Sequence, residues 1–177
     1  MNGVAWRPGC PVALKDLRRV EADVLGMDGV TYRGVLVVHR SVAGAVVRIL
    51  AALYDAKFPI ASMQPIERFG GDDDRSTMAN NSSAFNCRPV TGGRRFSEHA
   101  YGRAIDVNPV QNPYVRSNGT VLDPDAKRFI DRAAVADEPG VIVADGEIVT
   151  IFAAEGWGWG GSFRTTKDYQ HFSSSGR

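Results

Sequence analysis

This chain of 177 residues has almost no net charge, no long apolar run and only three histidines. Lys and Arg number 21 and Asp and Glu number 20, so the formal net charge is only +1. Nucleic-acid-binding proteins usually carry a clear basic excess, and the charge therefore argues against nucleic acid as a partner. No apolar run approaches the roughly 20 residues that span a bilayer, which predicts a chain without a membrane span. With 44% hydrophobic and 23% charged residues, the composition also excludes a disordered chain and a coiled coil.

Only two cysteines are present, Cys10 and Cys87, and they lie too far apart for a CxxC redox or zinc motif. Their number and spacing are equally compatible with a disulfide and with two buried thiols. Residues 1–11 lack the apolar segment of a secretory signal. We therefore expect either a cytosolic protein or one whose export signal lies outside this chain.

Apolar periodicity predicts a single α+β domain without internal repeats. A continuous apolar run predicts a strand buried on both faces over 31–39, and helical spacing predicts a helix over 42–57. Ser41 is the predicted N-cap of that helix, and Pro59 follows its end. The other predicted elements are a short helix within 14–24, helices over 125–134 and 146–155, and strands over 104–107 and 169–173.

Residues 67–82 are predicted to form a long polar loop, because they contain Gly70, Gly71 and three consecutive aspartates. Loops of this length are usually functional or mobile. The aspartates at 72–74 favour a solvated turn over a calcium loop, since the spacing and the distal glutamate of an EF-hand are missing.

Two short segments contain the residues that point to chemistry. SEHAYGRAID, residues 97–106, places His99 and Asp106 seven residues apart, and DYQH, residues 168–171, places Asp168 three residues before His171. Catalytic zinc takes three protein ligands and leaves a fourth position for water. His99, Asp106 and His171 provide those three ligands, and Asp168 is the candidate general base. His39 stands at a predicted strand end without a partner motif, so we expect it to lie outside the site.

SEHAYGRAID matches the SxHxxGxAxD signature of the zinc D,D-peptidases. This family includes D-Ala-D-Ala dipeptidases, carboxypeptidases and L-alanyl-D-glutamate peptidases. DYQH resembles the second family motif in its aspartate version, and GWGWGG at 156–161 also resembles the family. The resemblance covers roughly residues 60–172. It implies a Hedgehog/D,D-peptidase-like fold with a central antiparallel sheet flanked by helices.

The resemblance also implies a domain division and a role for each site residue. An N-terminal extension over 1–35 is expected to pack on a catalytic domain over 36–177. His99, Asp106 and His171 are implied to bind Zn²⁺, with Asp168 as the catalytic base. Ser97 is implied to bind substrate or to support the metal site, while Trp157 and Trp159 are expected to pack in the core beneath His171.

A third family element is an SGYR-like segment whose arginine binds the substrate carboxylate. Residues 83–89 resemble it in altered form, which assigns this catalytic and substrate-binding role to Arg88. Arg68 and Arg75 are the alternatives. Arginine suits the role because its planar guanidinium can hold a carboxylate through two hydrogen bonds.

The implied function is zinc-dependent hydrolysis of peptidoglycan stem peptides. The enzyme is expected to be a D-alanyl-D-alanine carboxypeptidase or an L-alanyl-D-glutamate endopeptidase, and Asp168 in place of glutamate favours the second. The alternative is a non-catalytic cell-wall-binding module on the same fold. We expect a monomer that is extracytoplasmic or secreted and acts at the cell wall. Disulfides persist there, which favours a Cys10–Cys87 bridge.

Overall fold

This computed structural model describes residues 3–176 of the chain, which form three α-helices and nine strands. The helices are α1 (Ala43–Asp55), α2 (Asp73–Met78) and α3 (Glu147–Ala154). The strands are β1 (Leu17–Leu25), β2 (Thr31–His39), β3 (Ser62–Met63), β4 (Asn81–Ser82), β5 (Ala104–Asp106), β6 (Tyr114–Val115), β7 (Gly158–Trp159), β8 (Lys167–Asp168) and β9 (His171–Ser173). The α+β class is therefore confirmed. Within residues 3–176 no helix is long and apolar enough to cross a bilayer, the longest having 13 residues.

The two longest strands, β1 and β2, form an antiparallel hairpin in which Leu17 lies opposite His39 and Leu25 opposite Thr31. The strand predicted over 31–39 is confirmed with these bounds, and its residues 34–38 are buried, as a continuous apolar run implies. The division of the chain at residue 35 stays a prediction, and that residue lies inside β2.

The short helix predicted within 14–24 is wrong. Only Leu14–Asp16 forms a 3₁₀ turn, and the chain then continues as β1. Val20, Ala22 and Val24 alternate with charged residues, so that one face of the strand packs on the core while the other is exposed. The apolar residues of this segment also have helical spacing. Pairing with β2 nevertheless stabilises the strand more than a helix.

Helix α1 confirms the helix predicted over 42–57, with slightly shorter bounds, and Val46, Ile49, Leu50 and Leu53 form its buried face. Ser41 is not its N-cap. Val42 takes that position without a side-chain hydrogen bond. The Ser41 hydroxyl instead lies 2.7 Å from Nδ1 of His39.

The long polar loop predicted over 67–82 is also wrong, because a 3₁₀ turn (Ile66–Phe69) and α2 fall within it. Asp72 caps α2, and its carboxylate accepts the backbone N–H of Arg75 at 3.1 Å. Carboxylates stabilise the first turn of a helix, which accounts for three aspartates at this point. The helix brings Asp73 to the edge of the site described below.

Of the remaining predicted elements, the helix over 146–155 and the strands over 104–107 and 169–173 are confirmed as α3, β5 and β9 with shorter bounds. The helix over 125–134 is shorter and of a different kind, a 3₁₀ helix over Pro124–Phe129. Asp123 caps it by accepting the backbone N–H of Asp125 at 2.9 Å.

The sheet that carries the site is small, with strands β5, β9 and β7 antiparallel in that order. The other strands form separate pairs, β1–β2, β3–β4 and β6–β8, of which β3–β4 is parallel. The ring of Phe152 on α3 stacks on that of Phe172 on β9 with centroids 3.7 Å apart. Trp157 and Trp159 are buried in the same cluster, so α3 and the tryptophans pack against β9.

Cys10 and Cys87 form the disulfide that the family resemblance implies. The backbone N–H of Cys87 also donates to the carbonyl oxygen of Ala5 at 3.2 Å. The N-terminal segment is therefore fastened to the chain immediately before Arg88.

Removing this bridge is expected to lower the free energy of unfolding. The two cysteines are separated by 77 positions in the sequence, and closing a loop of that length stabilises a fold by about 4 kcal/mol in the chain-entropy model, often less in practice. We expect the double variant Cys10→Ala/Cys87→Ala to unfold at a lower denaturant concentration than the wild type. A reducing agent should lower the wild-type midpoint and leave that of the variant unchanged. Equal midpoints for the two oxidised proteins would contradict a stabilising role.

Candidate metal centre and substrate cleft

The three predicted metal ligands, His99, Asp106 and His171, converge in the structure. Pairing of β5 with β9 sets Asp106 opposite His171. Nδ1 of His171 lies 3.1 Å from Oδ1 of Asp106 and 3.2 Å from Nε2 of His99. Nε2 of His99 lies 3.2 Å from Oδ2 of Asp106. All three residues are buried.

The 3₁₀ turn Glu98–Tyr101 carries His99 to this cluster, and the motif residues around it shape the turn. Ser97 begins the turn, and its hydroxyl accepts the backbone N–H of His99 at 3.3 Å. Gly102 ends it with φ of 66°, where a Cβ atom would lie 2.7 Å from the backbone nitrogen of His39. The serine and the glycine of the motif thus fix the path of the backbone at His99. The predicted role of Ser97 toward substrate stays a prediction.

A backbone carbonyl fixes the tautomer of His99. Nδ1 of this residue lies 2.6 Å from the carbonyl oxygen of Ala84, which can only accept a hydrogen bond. Nδ1 therefore carries a proton, and Nε2 is the ring nitrogen that can offer its lone pair to a metal ion held with Asp106 and His171.

This arrangement fits a zinc ion. Two imidazole nitrogens and a carboxylate oxygen are typical zinc ligands, and one such atom from each residue lies within 4.8 Å of the others. Bonds of about 2.1 Å in a tetrahedral site place two ligand atoms about 3.4 Å apart. The two imidazole nitrogens lie 3.2 Å apart, and each lies 3.1–3.2 Å from a different oxygen of Asp106. Burial raises the pKa of Asp106, but His99 and His171 outweigh it and hold that pKa well below its usual range. The carboxylate is therefore ionised, as a ligand must be.

Asp168, the predicted base, lies at the end of β8, and its side chain borders the same cleft as His99 and His171. Its Oδ1 atom is buried and has no hydrogen-bond partner among the described residues. Burial raises the pKa of Asp168 to about 7, against the opposing effect of His171. Gly160 packs closely on this segment, since a Cβ atom there would lie 2.6 Å from the carbonyl oxygen of Asp168. Gly160 of GWGWGG thus lets the chain approach DYQH.

His99, His171 and Asp168 line a cleft of about 940 Å³. Arg88 and Ser97 line it as well. Arg68 and Arg75, the alternatives for the carboxylate-binding role, are exposed and lie outside the cleft lining. The geometry therefore favours Arg88 among the three arginines. His39 is also outside the lining, as expected from its position at the end of β2.

Arg88 contacts Asp73, a residue that the sequence did not point to, and Asp73 also contacts Asn86. Nε of Arg88 forms an ion pair with Oδ1 of Asp73 at 2.9 Å. The same oxygen accepts a hydrogen bond from the side-chain amide of Asn86 at 3.2 Å. The only sequence signal for Asp73 was its place in the aspartate triplet, which indicated a turn and nothing about a partner 15 positions away.

Comparison with known proteins identifies one family. Residues 91–174, a little under half of the chain, match the family model described as D-alanyl-D-alanine carboxypeptidase. The matched segment contains His99, Asp106, Asp168 and His171, whereas Arg88 lies outside it. No curated protein and no solved structure gives a significant match. The resemblance that rests on SEHAYGRAID is thereby confirmed.

Proposed function

We propose, from the zinc D,D-peptidase family that residues 91–174 match, that this chain is a zinc metallopeptidase that hydrolyses peptidoglycan stem peptides. The observation that carries the proposal is the convergence of His99, Asp106 and His171 beside the buried carboxylate of Asp168. Three ligands and a separate acid–base group are the protein components that metal-assisted peptide hydrolysis requires.

Each residue has a separate task in this reaction. Zinc bound by His99, Asp106 and His171 would polarise the scissile carbonyl and lower the pKa of a water molecule toward neutrality. Asp168 accepts a proton from the attacking water and then donates it to the leaving amine. Burial raises the pKa of Asp168 from its ordinary value, which favours its protonated form in the second transfer.

Arg88 holds a carboxylate of the substrate from the wall of the cleft. A bound carboxylate fixes the peptide relative to the metal ligands, which converts part of the binding energy into orientation of the scissile bond. Ser97 keeps its proposed role in substrate binding or in support of the metal site, and its hydroxyl already contacts the backbone of His99.

The scissile bond is either D-Ala-D-Ala, in a carboxypeptidase, or L-Ala-D-Glu, in an endopeptidase. Asp168 in place of glutamate supports the endopeptidase. The size of the cleft, about 940 Å³, is at the upper end of the roughly 300–1,000 Å³ of small-ligand pockets and suits a peptide of several residues. The alternative function is a non-catalytic cell-wall-binding module.

We further propose that the protein is a monomer at the cell wall, outside the cytoplasm, with a Hedgehog/D,D-peptidase-like fold. The Cys10–Cys87 disulfide supports the location, because disulfides persist in oxidising compartments. Acting on peptidoglycan requires the same location.

Digestion of purified peptidoglycan followed by mass spectrometry of the new termini tests the proposal. An endopeptidase leaves stem peptides that begin with D-Glu, and a carboxypeptidase releases free D-alanine. The zinc-loaded Asp168→Asn variant is the control and should release the same product at least about 100-fold more slowly. A zinc-loaded wild type that sediments with peptidoglycan but releases no product would support the binding module instead.

The variant Arg88→Ala is expected to raise KM for stem peptides by about 10–100-fold, since it removes a charge-assisted contact to the substrate carboxylate. Zinc content should stay unchanged. Amidation of that carboxylate should weaken binding to the wild type and have little further effect on the variant. If amidation weakens binding to both proteins equally, Arg88 does not contact that carboxylate.

A further inference from the structure

Asp73 and Arg88 form an ion pair in the wall of the cleft. Their side chains are 34% and 22% exposed, so the pair is partly shielded from water. Both residues line the cleft that His99 and His171 also line. Neither the sequence motifs nor the family match, which begins at residue 91, assigns any role to Asp73.

Asp73 restricts how the guanidinium of Arg88 is oriented. Its Oδ1 atom lies 2.9 Å from the buried Nε, which forms no hydrogen bond among the described residues, so the restraint is the attraction of the ion pair. Of the two terminal nitrogens, Nη1 makes only a long contact of 3.3 Å to the carbonyl oxygen of Pro89. The end of the guanidinium that carries the terminal nitrogens is therefore the part left for a ligand, and a carboxylate can engage both of its nitrogens.

Asn86 connects this pair to the metal centre. Its side-chain amide donates to the same oxygen of Asp73 that contacts Arg88, at 3.2 Å. Its backbone N–H donates to the carbonyl oxygen of His99, also at 3.2 Å. Asn86 is buried, so the chain of contacts from Asp73 to His99 runs through a residue with little freedom to move.

We propose that Asp73 is a positioning residue, which holds Arg88 at a fixed place relative to the metal ligands so that a substrate carboxylate and the scissile bond fit together. This inference rests on the proposed function of Arg88. A free arginine side chain samples many rotamers, and holding it in place before substrate arrives reduces the entropy lost on binding. The negative charge of Asp73 also repels a substrate carboxylate. The direction of the change in KM in Asp73→Asn shows which of the two effects is larger, and we expect that of orientation to be.

Two neighbouring aspartates, substituted one at a time, distinguish loss of the ion pair with Arg88 from loss of one negative charge near the cleft. Asp73→Asn removes the ion pair with little change in size. Asp74→Asn removes the same charge from a residue that also lines the cleft but forms no ion pair with Arg88 among the described residues. We expect Asp73→Asn to raise KM for a stem peptide by about 10-fold, as loss of a supporting contact typically does, with kcat changed by less than about threefold. The change in KM for Asp74→Asn should be less than about twofold, as is usual for a substitution that breaks no specific contact.

Three further measurements belong to the same experiment. Asp73→Glu should recover part of the lost affinity, because it restores the charge. In an Arg88→Ala background, Asp73→Asn should have no additional effect on KM, since the group that it positions is gone. Zinc content and thermal unfolding show whether each variant is folded, and Asp73→Ser serves as the second variant if Asp73→Asn is not.

The results distinguish failure of this inference from failure of the proposed function. An unchanged KM in Arg88→Ala would show that Arg88 does not bind a substrate carboxylate, and the proposed role of Arg88 would then fail. A raised KM in Arg88→Ala together with equal effects of Asp73→Asn and Asp74→Asn would overturn only the role of Asp73. A lower KM in Asp73→Asn would also overturn it and would show that Asp73 competes with the substrate for Arg88.

Discussion

The variant His171→Ala is expected to lose zinc and to hydrolyse no stem peptide. His171 is one of the three candidate ligands that converge among residues 3–176, and removal of one of three ligands usually abolishes tight binding of zinc. It also leaves the buried carboxylate of Asp106 without one of the two imidazoles that keep it ionised. Metal analysis of the purified variant and a hydrolysis assay measure both effects.

His39→Ala is the matched control, because it removes a histidine that lies outside the cleft at the end of β2. It should retain zinc and activity. Full zinc occupancy in His171→Ala would show that the ligand assignment is wrong.

The second large effect is expected for Asp168→Asn, which should bind zinc and fold normally while kcat falls by about two to four orders of magnitude. Asparagine has nearly the same size as aspartate but cannot accept a proton. The buried Oδ1 of Asp168 has no hydrogen-bond partner among residues 3–176, so the substitution breaks no described contact of that atom. Turnover, zinc content and thermal unfolding of the variant provide the three readouts.

Asp168→Glu is the companion variant, since it keeps the carboxylate and moves it by one methylene group. It should recover part of the lost turnover. Near-normal kcat in Asp168→Asn would remove Asp168 from the mechanism and require another base.

The residues of the site could be predicted because their signal is local. SEHAYGRAID contains the capping serine, two candidate ligands and the glycine that ends the turn within ten positions. The pairing of Asp106 with His171 across β5 and β9 joins two segments that each carried a motif of their own. The two motifs therefore predicted that these residues belong to one site, although neither motif contains the distances between them.

The contacts that support the site could not be predicted in the same way. The carbonyl oxygen of Ala84 selects the tautomer of His99, and a backbone oxygen has no sequence signature. Asp73 reaches Arg88 only because α2 forms where a polar loop was expected. Such contacts depend on how distant segments pack, and local patterns report only on neighbours in the sequence.

The wrong helix within 14–24 has a related cause. Leu17, Val20 and Val24 have helical spacing, yet the segment pairs with β2 over its full length. Long-range pairing with a strongly apolar strand outweighed the local preference, as it often does for short segments. By contrast, α1 and β2 were predicted with nearly correct bounds, because their apolar patterns are long and agree with a single structure.

Zinc titration of the metal-free protein tests the central claim most directly. The protein is stripped of metal with a chelator, and hydrolysis of a stem peptide is measured as Zn²⁺ is added back. The rate should rise in proportion to added zinc and level off at about one equivalent per chain, while the His171→Ala variant stays inactive throughout. Full activity of the metal-free protein, or a wild type that binds no zinc, would contradict the account.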